Sequence, residues 1–388
     1  MTSCDRDLRV VRNASRARRR QFAFSPEPRV LGRAAWVRSS APMTPRVLFV
    51  GNFLSSSRAS LTVGEALAAR LASGGWTTLT TSDKRNRLAR VAHMAGTAWR
   101  RRRDYDVAVV DVYSGAAFVW AETVTATLRA ARRPYVLTLH GGNLPAFAAR
   151  WPGRVRRLLR SAHTVTTPSM YLQDRLRHVR EDLALVPNAI ELRAYRFQER
   201  TRAAPRLIWL RAFHRVYDPT LAVKTVQRLT QSIPGVHLTM IGSDSGDGAL
   251  GATRDAIVRA GLGAQVELRG GVPKADVPSV LGEADVFLNT STIDNTPVSV
   301  IEAMACGLCV VSTSVGGIPF LLDDGREGLL VPSGDADAMA AAVERIVAEP
   351  ELAARLSHSA RAKVEAFDWS AVLPQWEAIL DRAAAVGS

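Results

Sequence analysis

The sequence predicts an α/β protein with two doubly wound, Rossmann-like domains that face a cleft. From residue 46 onward, runs of Val, Leu and Ile alternate with segments of helical length, which is typical of parallel strands covered by helices on both faces. Twelve such runs occur in the 388 residues, and one open sheet of twelve strands would be unusual. Because ligands of such folds bind beyond the carboxyl ends of the strands, we expect a site in the cleft.

Each predicted strand is a short apolar run bounded by polar or turn-forming residues. The first series covers residues 46–50, 76–80, 106–111, 134–139, 162–167 and 183–186. The second series covers residues 206–211, 237–241, 265–268, 284–289, 308–313 and 328–331. Helices are predicted between the strands, including 61–73, 115–131, 146–160, 219–232, 249–261 and 335–348. The two series separate within residues 187–206, where Gln198, Glu199, Arg200 and Pro205 indicate a polar linker.

These boundaries predict a first domain over residues 44–190, a second domain over residues 191–366 and a last helical segment over residues 367–388. Residues 1–43 lack apolar periodicity and carry four arginines at positions 16–20, so we interpret them as a disordered basic tail. Because Met43 directly precedes the first strand, a start of translation at Met43 is one alternative. An arginine-rich transit peptide is another.

The net charge of +15 is concentrated in the first half of the chain. Residues 1–43 carry a net charge of +7, residues 44–190 carry +13 and residues 191–388 carry −5. This asymmetry suggests that the first domain faces an anionic partner. The pI of about 10.8 raises a nucleic-acid-binding protein as an alternative. We nevertheless expect no nucleic acid, because the chain has no recognition module and no aromatic residues interleaved with the basic ones.

Composition excludes several other classes of protein. No run approaches the ~20 uncharged apolar residues of a membrane-spanning helix. Three cysteines in a chain of this length exclude a disulfide framework and favour a cytoplasmic location. Cys306 and Cys309 form a CxxC pair without further ligands nearby, so we interpret them as small buried apolar residues rather than a metal site.

The most informative segment follows the fourth strand of the second series. Thr296 suits the N-cap of a helix, Pro297 suits its first position, and Gly307 suits its C-terminal stop. The free N–H groups of Val298 and Ser299 would then form an anion site that the helix dipole strengthens.

Two carboxylates flank this anion site. Glu302 lies one turn into the helix, where it can accept hydrogen bonds from a pair of vicinal hydroxyls. Asp294 lies in the preceding loop and can accept from a second hydroxylated group. A phosphate site between carboxylates of this kind describes a sugar nucleotide, although a solvated Glu302 and a turn-forming Asp294 would have the same spacing.

Several motifs, in order along the chain, resemble those of the family-4 retaining glycosyltransferases of GT-B fold. The resemblance covers roughly residues 45–385. The motifs are Asp294-x7-Glu302 with the following Ala-Met-Ala-Cys-Gly, residues 315–319 (Val-Gly-Gly-Ile-Pro), residues 187–191 (Pro-Asn-Ala-Ile-Glu), residues 325–335 and residues 367–370 (Phe-Asp-Trp-Ser). In the family the last helix usually returns to the first domain, so we expect residues 367–388 there.

The resemblance implies a role for each donor-side residue. Glu302 would bind the ribose hydroxyls, Asp294 would contact the donor sugar, and Arg211 would bind the diphosphate. Asp294 stands where the family usually has Glu. Val216 or Tyr217 stands where the family has a second basic residue, and we expect Arg215 to substitute for it.

On the acceptor side, His140 follows a predicted strand and precedes two glycines. This context lets its ring and the nearby N–H groups approach a substrate, although a structural histidine is the alternative. The resemblance places His140 beside the reacting centre and the acceptor. It also implies that Gly51 and Asn52 belong to a loop that closes over donor and acceptor.

The implied reaction transfers a hexosyl-type sugar from a nucleotide sugar to a glycan or lipid-linked acceptor with retention of anomeric configuration. Arg211 and the helix start at Val298 and Ser299 can stabilise the charge that builds on the departing diphosphate. No acidic pair suited to magnesium stands in a convincing position, and the resemblance implies that neither a metal nor another cofactor is needed. A catalytically inactive GT-B scaffold is the alternative, because the second basic residue is missing.

Two segments of the first domain, residues 84–103 and 150–160, are rich in arginine. In the first of them, Leu88, Val91, Ala92 and Trp99 would share an apolar stripe flanked by cations, as in helices that lie on anionic membranes. An ordinary solvated helix face is the alternative. The stripe predicts that the first domain docks on the inner face of the cell membrane, where it meets a lipid-linked acceptor.

Overall fold

The computed structural model describes residues 44–53, 62–84 and 86–386, and the predicted basic tail over residues 1–43 lies outside them. Within these ranges the chain forms two six-stranded sheets whose strands all pair in parallel. Helices connect successive strands in both sheets. The prediction of two doubly wound, Rossmann-like domains is therefore confirmed.

The first sheet has the order β2-β1-β3-β4-β5-β6. Its strands are β1 (Val47–Val50), β2 (Thr78–Thr81), β3 (Val107–Val112), β4 (Tyr135–Leu139), β5 (Thr164–Thr167) and β6 (Leu183–Leu185). The helices that follow its strands are α1 (Val63–Ser73), α2 (Arg87–Arg100), α3 (Phe118–Ala130), α4 (Leu144–Arg150), α5 (Pro152–Ser161) and α6 (Met170–Leu176). The predicted helix over residues 146–160 is two helices, because Trp151 leaves the helical conformation (φ −130°, ψ 56°) and Pro152 starts α5.

The second sheet has the order β12-β11-β10-β7-β8-β9. Its strands are β7 (Arg206–Leu210), β8 (His237–Ile241), β9 (Val266–Arg269), β10 (Val286–Asn289), β11 (Cys309–Thr313) and β12 (Gly328–Val331). The helices associated with it are α7 (Pro219–Leu229), α8 (Ala249–Ala260), α9 (Val277–Gly282), α10 (Val298–Ala305), α11 (Ile318–Leu321), α12 (Ala336–Ala348) and α13 (Pro350–Val364).

Strand β1 shows why the central strands are continuously apolar. Its alternate side chains point to opposite faces of the sheet, and both faces are covered. Leu48 and Val50 pack in the core beneath α2 and α3, whereas Val47 and Phe49 pack on the other face. All four side chains are buried as a result.

The last helix, α14 (Trp369–Ala385), packs on the first sheet rather than the second. Trp376 and Leu380 share a core with Val47 and Phe49. Asp368 caps the helix and also accepts a hydrogen bond from the backbone N–H of Leu192 (3.0 Å). The chain therefore crosses between the domains twice, at residues 187–195 and at residues 367–368.

The linker between the sheets is held against the second domain at Arg200. This side chain is 2% exposed, pairs with Asp285 (3.0 Å) and also donates to the carbonyl of Ala284 (2.6 Å). Because a buried charge of this kind needs a partner, Arg200 fixes the linker to the sheet.

Candidate functional site

Helix α10 begins at Val298, with Pro297 rather than Thr296 at its N-cap. The Thr296 hydroxyl donates to the carbonyl of Pro168 in the first domain (3.3 Å), so the predicted N-cap at Thr296 is wrong. Because Pro297 has no side-chain acceptor, the N-cap residue makes no capping hydrogen bond to the first turn. Among the described residues, neither the Val298 N–H nor the Ser299 N–H has an acceptor, and both are available to an anion.

The C-terminal end of α10 agrees with the sequence interpretation. Gly307 adopts a positive φ of 78°, a conformation that favours glycine. Cys306 and Cys309, on either side of it, are free and buried, as expected for small apolar residues. Burial raises the pKa of the Cys306 thiol to about 11 and that of Cys309 to about 12.

Arg211 and Asp294 form an ion pair beside the start of α10. The guanidinium Nη2 donates to Asp294 Oδ2 (2.7 Å), and Nη1 lies 3.5 Å from the hydroxyl of Ser299. Both charged side chains are mostly buried, at 14% and 9% exposed. Arg211 Nε is buried and has no partner among the described residues. Arg211, Asp294 and Ser299 are thus brought together, with hydrogen-bonding capacity of Arg211 left over.

The loop that carries Asp294 is packed too closely for side chains on three neighbouring glycines. A Cβ on Gly142 of the first domain would lie 2.5 Å from the Asp294 carbonyl oxygen, and one on Gly316 would overlap the same atom. A Cβ on Gly317 would overlap the carbonyl of Asn295. Because Gly142 lies two residues after His140, this contact brings the predicted acceptor-side loop to the Asp294 loop.

Glu302 is buried, which contradicts a solvated helix residue. Its side chain is 4% exposed, and Oε1 accepts from the Tyr195 hydroxyl (2.6 Å) and from the Lys274 ammonium. Burial lowers the pKa of Lys274 to about 8. Tyr195 and Lys274 were not singled out from the sequence. Lys274 belongs to the loop after β9. Because ligand-binding loops follow the strands of a parallel sheet, this position could have identified Lys274 from the sequence.

Arg215 has no hydrogen bond or ion pair with this cluster among the described residues, and its role as the second basic residue stays a prediction. Its backbone N–H donates to Asp247 (2.8 Å) and its side chain is exposed. The short turn over residues 215–217 instead brings the Tyr217 ring to 4.0 Å from the Arg211 guanidinium. The cation that the structure adds near α10 is Lys274.

The domain junction supports the same loop. The Asn188 amide donates to the carbonyl of Thr296 (3.0 Å), directly before α10. Because Asn188 and Tyr195 both lie in the first crossing segment, this segment fixes the start of α10 and the Glu302 carboxylate together.

On the first domain, His140 pairs with Asp111, which was not singled out from the sequence. The distance from His140 Nε2 to Asp111 Oδ1 is 2.9 Å, and the two side chains are 12% and 10% exposed. The imidazole stacks on Tyr113 with the ring centroids 5.0 Å apart. Asp111 could have been identified from the sequence, because it is an acidic residue near the end of β3, the strand that pairs with β4.

The predicted loop at Gly51 and Asn52 lies beside this pair. A Cβ on Gly51 would overlap the Asp111 carboxylate. The Asn52 side-chain oxygen accepts from Arg90 of α2 (2.8 Å). Residues 54–61 are outside the described ranges.

Among the described residues, no three His, Cys, Asp or Glu side chains are grouped so that they would hold a metal ion. In the same part of the chain, every helix is too short or too polar to cross a bilayer.

The two Rossmann-like domains and the polar cluster at the start of α10 define a protein of GT-B architecture. The family model "Glycosyl transferases group 1" matches residues 204–349, and the model "Glycosyltransferase Family 4" matches residues 62–194. The two matches together cover more than half of the chain. The chain therefore belongs to the glycosyltransferases of GT-B fold.

Individual relatives agree with this assignment. One component of the phosphatidylinositol N-acetylglucosaminyltransferase of Arabidopsis thaliana is 29% identical over 203 residues, which are 51% of this chain and 44% of that protein. The amylovoran biosynthesis glycosyltransferase AmsK of Erwinia amylovora is 34% identical over 171 residues, 42% of this chain and 41% of that protein. Each match therefore spans less than half of the relative's length.

Among solved structures, Anabaena Alr3699/HepE in complex with UDP and glucose shares the fold. The TM-score is 0.70 at 18% identity, and the match covers 87% of this chain and all of that one.

Proposed function

We propose that this protein transfers a sugar from a nucleotide-sugar donor to a glycan or lipid-linked acceptor with retention of the anomeric configuration. The observation that carries the proposal is the uncapped start of α10, where two free N–H groups lie beside Arg211 and between two buried carboxylates. Partial positive charge at a helix start and a guanidinium suit a diphosphate. The Anabaena neighbour is in complex with UDP and glucose, which are a nucleoside diphosphate and a sugar like the two parts of the proposed donor.

Each donor group then has a partner. The diphosphate lies against the N–H groups of Val298 and Ser299 and against Arg211. The ribose hydroxyls donate to Glu302 Oε2, which has no partner among the described residues, whereas Oε1 is held by Tyr195 and Lys274. The sugar hydroxyls contact Asp294.

The reaction breaks the bond between the anomeric carbon and the diphosphate oxygen and forms one to the acceptor oxygen. The acceptor proton passes to the departing diphosphate on the same face of the sugar, which retains the configuration. Because Arg211 and the helix start stabilise the developing charge, the proposed reaction needs no metal ion. His140 lies beside the acceptor hydroxyl.

The test is a panel of UDP-, GDP- and ADP-sugars incubated with the full chain, with and without EDTA. We expect release of one nucleoside diphosphate, unaffected by EDTA, and NMR of the product shows the donor's anomeric configuration. Arg211→Ala abolishes release, whereas Arg259→Ala, an exposed arginine on α8, retains it. No release from any donor, or a product of opposite configuration, contradicts the proposal.

We further propose that α2 and α5 dock the first domain on the anionic cytoplasmic surface of the cell membrane. Leu88 and Trp99, three turns apart on α2, are 83% and 46% exposed, while Val91 packs against the core. The Arg102 guanidinium lies 4.7 Å from the Trp99 ring. Arg156 and Arg157 are exposed on α5. Apolar side chains rimmed by cations are typical of helices that lie in the headgroup region.

Co-sedimentation with vesicles containing 30% anionic lipid tests this surface. We expect wild type to bind and Leu88→Ser/Trp99→Ser to lose most of its binding. Val258→Ser, which changes a 79% exposed residue on α8, is the matched control and binds like wild type. Equal partition onto neutral and anionic vesicles would contradict the proposal.

A further inference from the structure

His140 and Asp111 form a polar pair at the carboxyl ends of two neighbouring strands. Asp111 lies near the end of β3, His140 follows β4, and the two strands are paired in register. The backbone N–H of His140 donates to the Val112 carbonyl (2.9 Å), which fixes the start of the histidine loop. Tyr113 covers one face of the imidazole ring. Three consecutive residues at the end of β3 thus determine the position of the ring: Asp111, Val112 and Tyr113.

The pair defines which nitrogen of His140 carries a proton. An ionised carboxylate only accepts hydrogen bonds, so Nε2 must donate to Asp111 Oδ1. In the neutral imidazole the other nitrogen, Nδ1, then carries a lone pair. Nδ1 has no hydrogen-bond partner among the described residues. In that part of the chain, four buried side-chain polar atoms lack a partner, and Nδ1 of His140 is not one of them. Nδ1 is therefore open to a ligand.

The surroundings of Asp111 suit an ionised carboxylate. A Cβ on Gly51 would overlap Oδ2 of Asp111. A Cβ on Gly64 would lie 3.5 Å from the same oxygen. Gly64 is in the first turn of the 11-residue helix α1, whose N-terminus favours a negative charge. The glycines thus leave room for the carboxylate, and the helix start stabilises its charge.

We propose that Asp111 is a positioning residue that holds His140 with Nε2 protonated, so that Nδ1 accepts a hydrogen bond from the acceptor hydroxyl in the bound complex and orients it. As the hydroxyl attacks, its proton leaves this hydrogen bond and passes to the departing diphosphate. This inference rests on the proposed glycosyl transfer and assigns the acceptor-side partner of the reaction. Asp111 acts through His140 and touches no substrate itself.

Ring ¹H–¹⁵N spectra of histidine-labelled protein test the pair without any assay of activity. We expect one slowly exchanging Nε2–H signal, shifted downfield by the carboxylate. This signal disappears in His140→Ala and moves upfield in Asp111→Asn. It remains in the control variant His163→Ala, which removes an exposed histidine of the same domain. Gly51→Ala, whose Cβ displaces the carboxylate, moves it in the same way while both partners remain. A signal that is unmoved in Asp111→Asn overturns the assignment.

Transfer kinetics then test the role. We expect Asp111→Asn to lower kcat at least 10-fold with the donor Kd unchanged. We also expect the double variant Asp111→Asn/His140→Ala to be no slower than His140→Ala alone, because residues that act as one unit are non-additive. If the fold-losses in kcat of the two single variants multiply in the double variant, Asp111 does not act through His140. If wild type transfers no sugar, the proposed function fails, and the spectra still decide the pairing.

Discussion

At the residue scale, Asp294 is held by three donors before any ligand arrives. Its Oδ2 accepts from Arg211 (2.7 Å) and from the Ser291 hydroxyl (2.9 Å), and its Oδ1 accepts from the backbone N–H of Asn295 (2.9 Å). The carboxylate therefore has a fixed orientation although it is one methylene shorter than the glutamate usual in the family. The same ion pair aims the Arg211 guanidinium at the start of α10.

Asp294→Asn tests this arrangement. The amide keeps the size of the side chain but loses the charge-assisted hydrogen bond to Arg211, which contributes about 1.5–3 kcal/mol. We expect the Kd of the nucleotide sugar to rise by about 10- to 100-fold in calorimetric titration. Asp255→Asn, an exposed acid on α8, is the control and binds like wild type. An unchanged Kd for Asp294→Asn would show that Asp294 does not order the donor site.

His140→Ala tests the acceptor side at the same scale. We expect turnover to fall by about 10²-fold or more, because the acceptor hydroxyl loses the hydrogen-bond acceptor that orients it, with a small change in melting temperature. His163→Ala should retain full turnover. If His140→Ala turns over at nearly the normal rate, His140 is a structural residue and does not belong to the site.

At the element scale, short crossing segments and glycine contacts position the site. Asn188 anchors the loop before α10, Tyr195 anchors Glu302, and the glycines at positions 316 and 317 let the following loop pack against Asp294 and Asn295. These contacts fix where α10 begins relative to β10. The helix start is therefore pre-organised rather than assembled around a ligand.

Gly317→Ala tests this packing. Its Cβ would overlap the Asn295 carbonyl, so the loop must shift, and we expect a lower melting temperature together with weaker donor binding. Gly251→Ala is the control: it is inside helix α8, and beyond the backbone of that helix no described atom lies within 4 Å of its Cβ. Replacing glycine by alanine in a helix should stabilise by roughly 0.5–1 kcal/mol. Equal behaviour of the two variants would show that the close approach is unimportant.

At the scale of the whole molecule, α14 ties the end of the chain to the first domain. Trp369, Val372 and Trp376 are buried in the core that also contains Val47 and Phe49. This helix completes one face of the first sheet, so the first domain needs residues from both ends of the described chain.

Trp376→Ala tests the contribution of α14 to stability. Removing a buried indole costs about 3–5 kcal/mol, and we expect the unfolding midpoint of the first domain in urea to fall accordingly. Trp151→Ala removes an indole that is 44% exposed and should change the midpoint much less. Equal shifts for the two variants would contradict the packing of α14 on the first sheet.

The sequence predicted the architecture better than the contacts within the site. Strands such as β8 and β12 follow directly from apolar runs bounded by turn residues, so all twelve predicted strands are present. The partners of the site residues depend on long-range packing. Tyr195 is 107 residues from Glu302, and Asp111 is 29 residues from His140. Local patterns contain no information on such pairs. For the same reason, the sequence does not reveal that the Tyr217 ring lies 4.0 Å from the Arg211 guanidinium.

The central claim is that the start of α10 binds the diphosphate of a nucleotide sugar. Its most direct test is a crystal structure of the full chain with the nucleoside diphosphate that raises the melting temperature most among UDP, GDP and ADP. We predict phosphate oxygens within hydrogen-bonding distance of the Val298 and Ser299 N–H groups and of Arg211, with the ribose on Glu302. A nucleotide bound elsewhere, with this helix start in contact only with solvent, would contradict the claim.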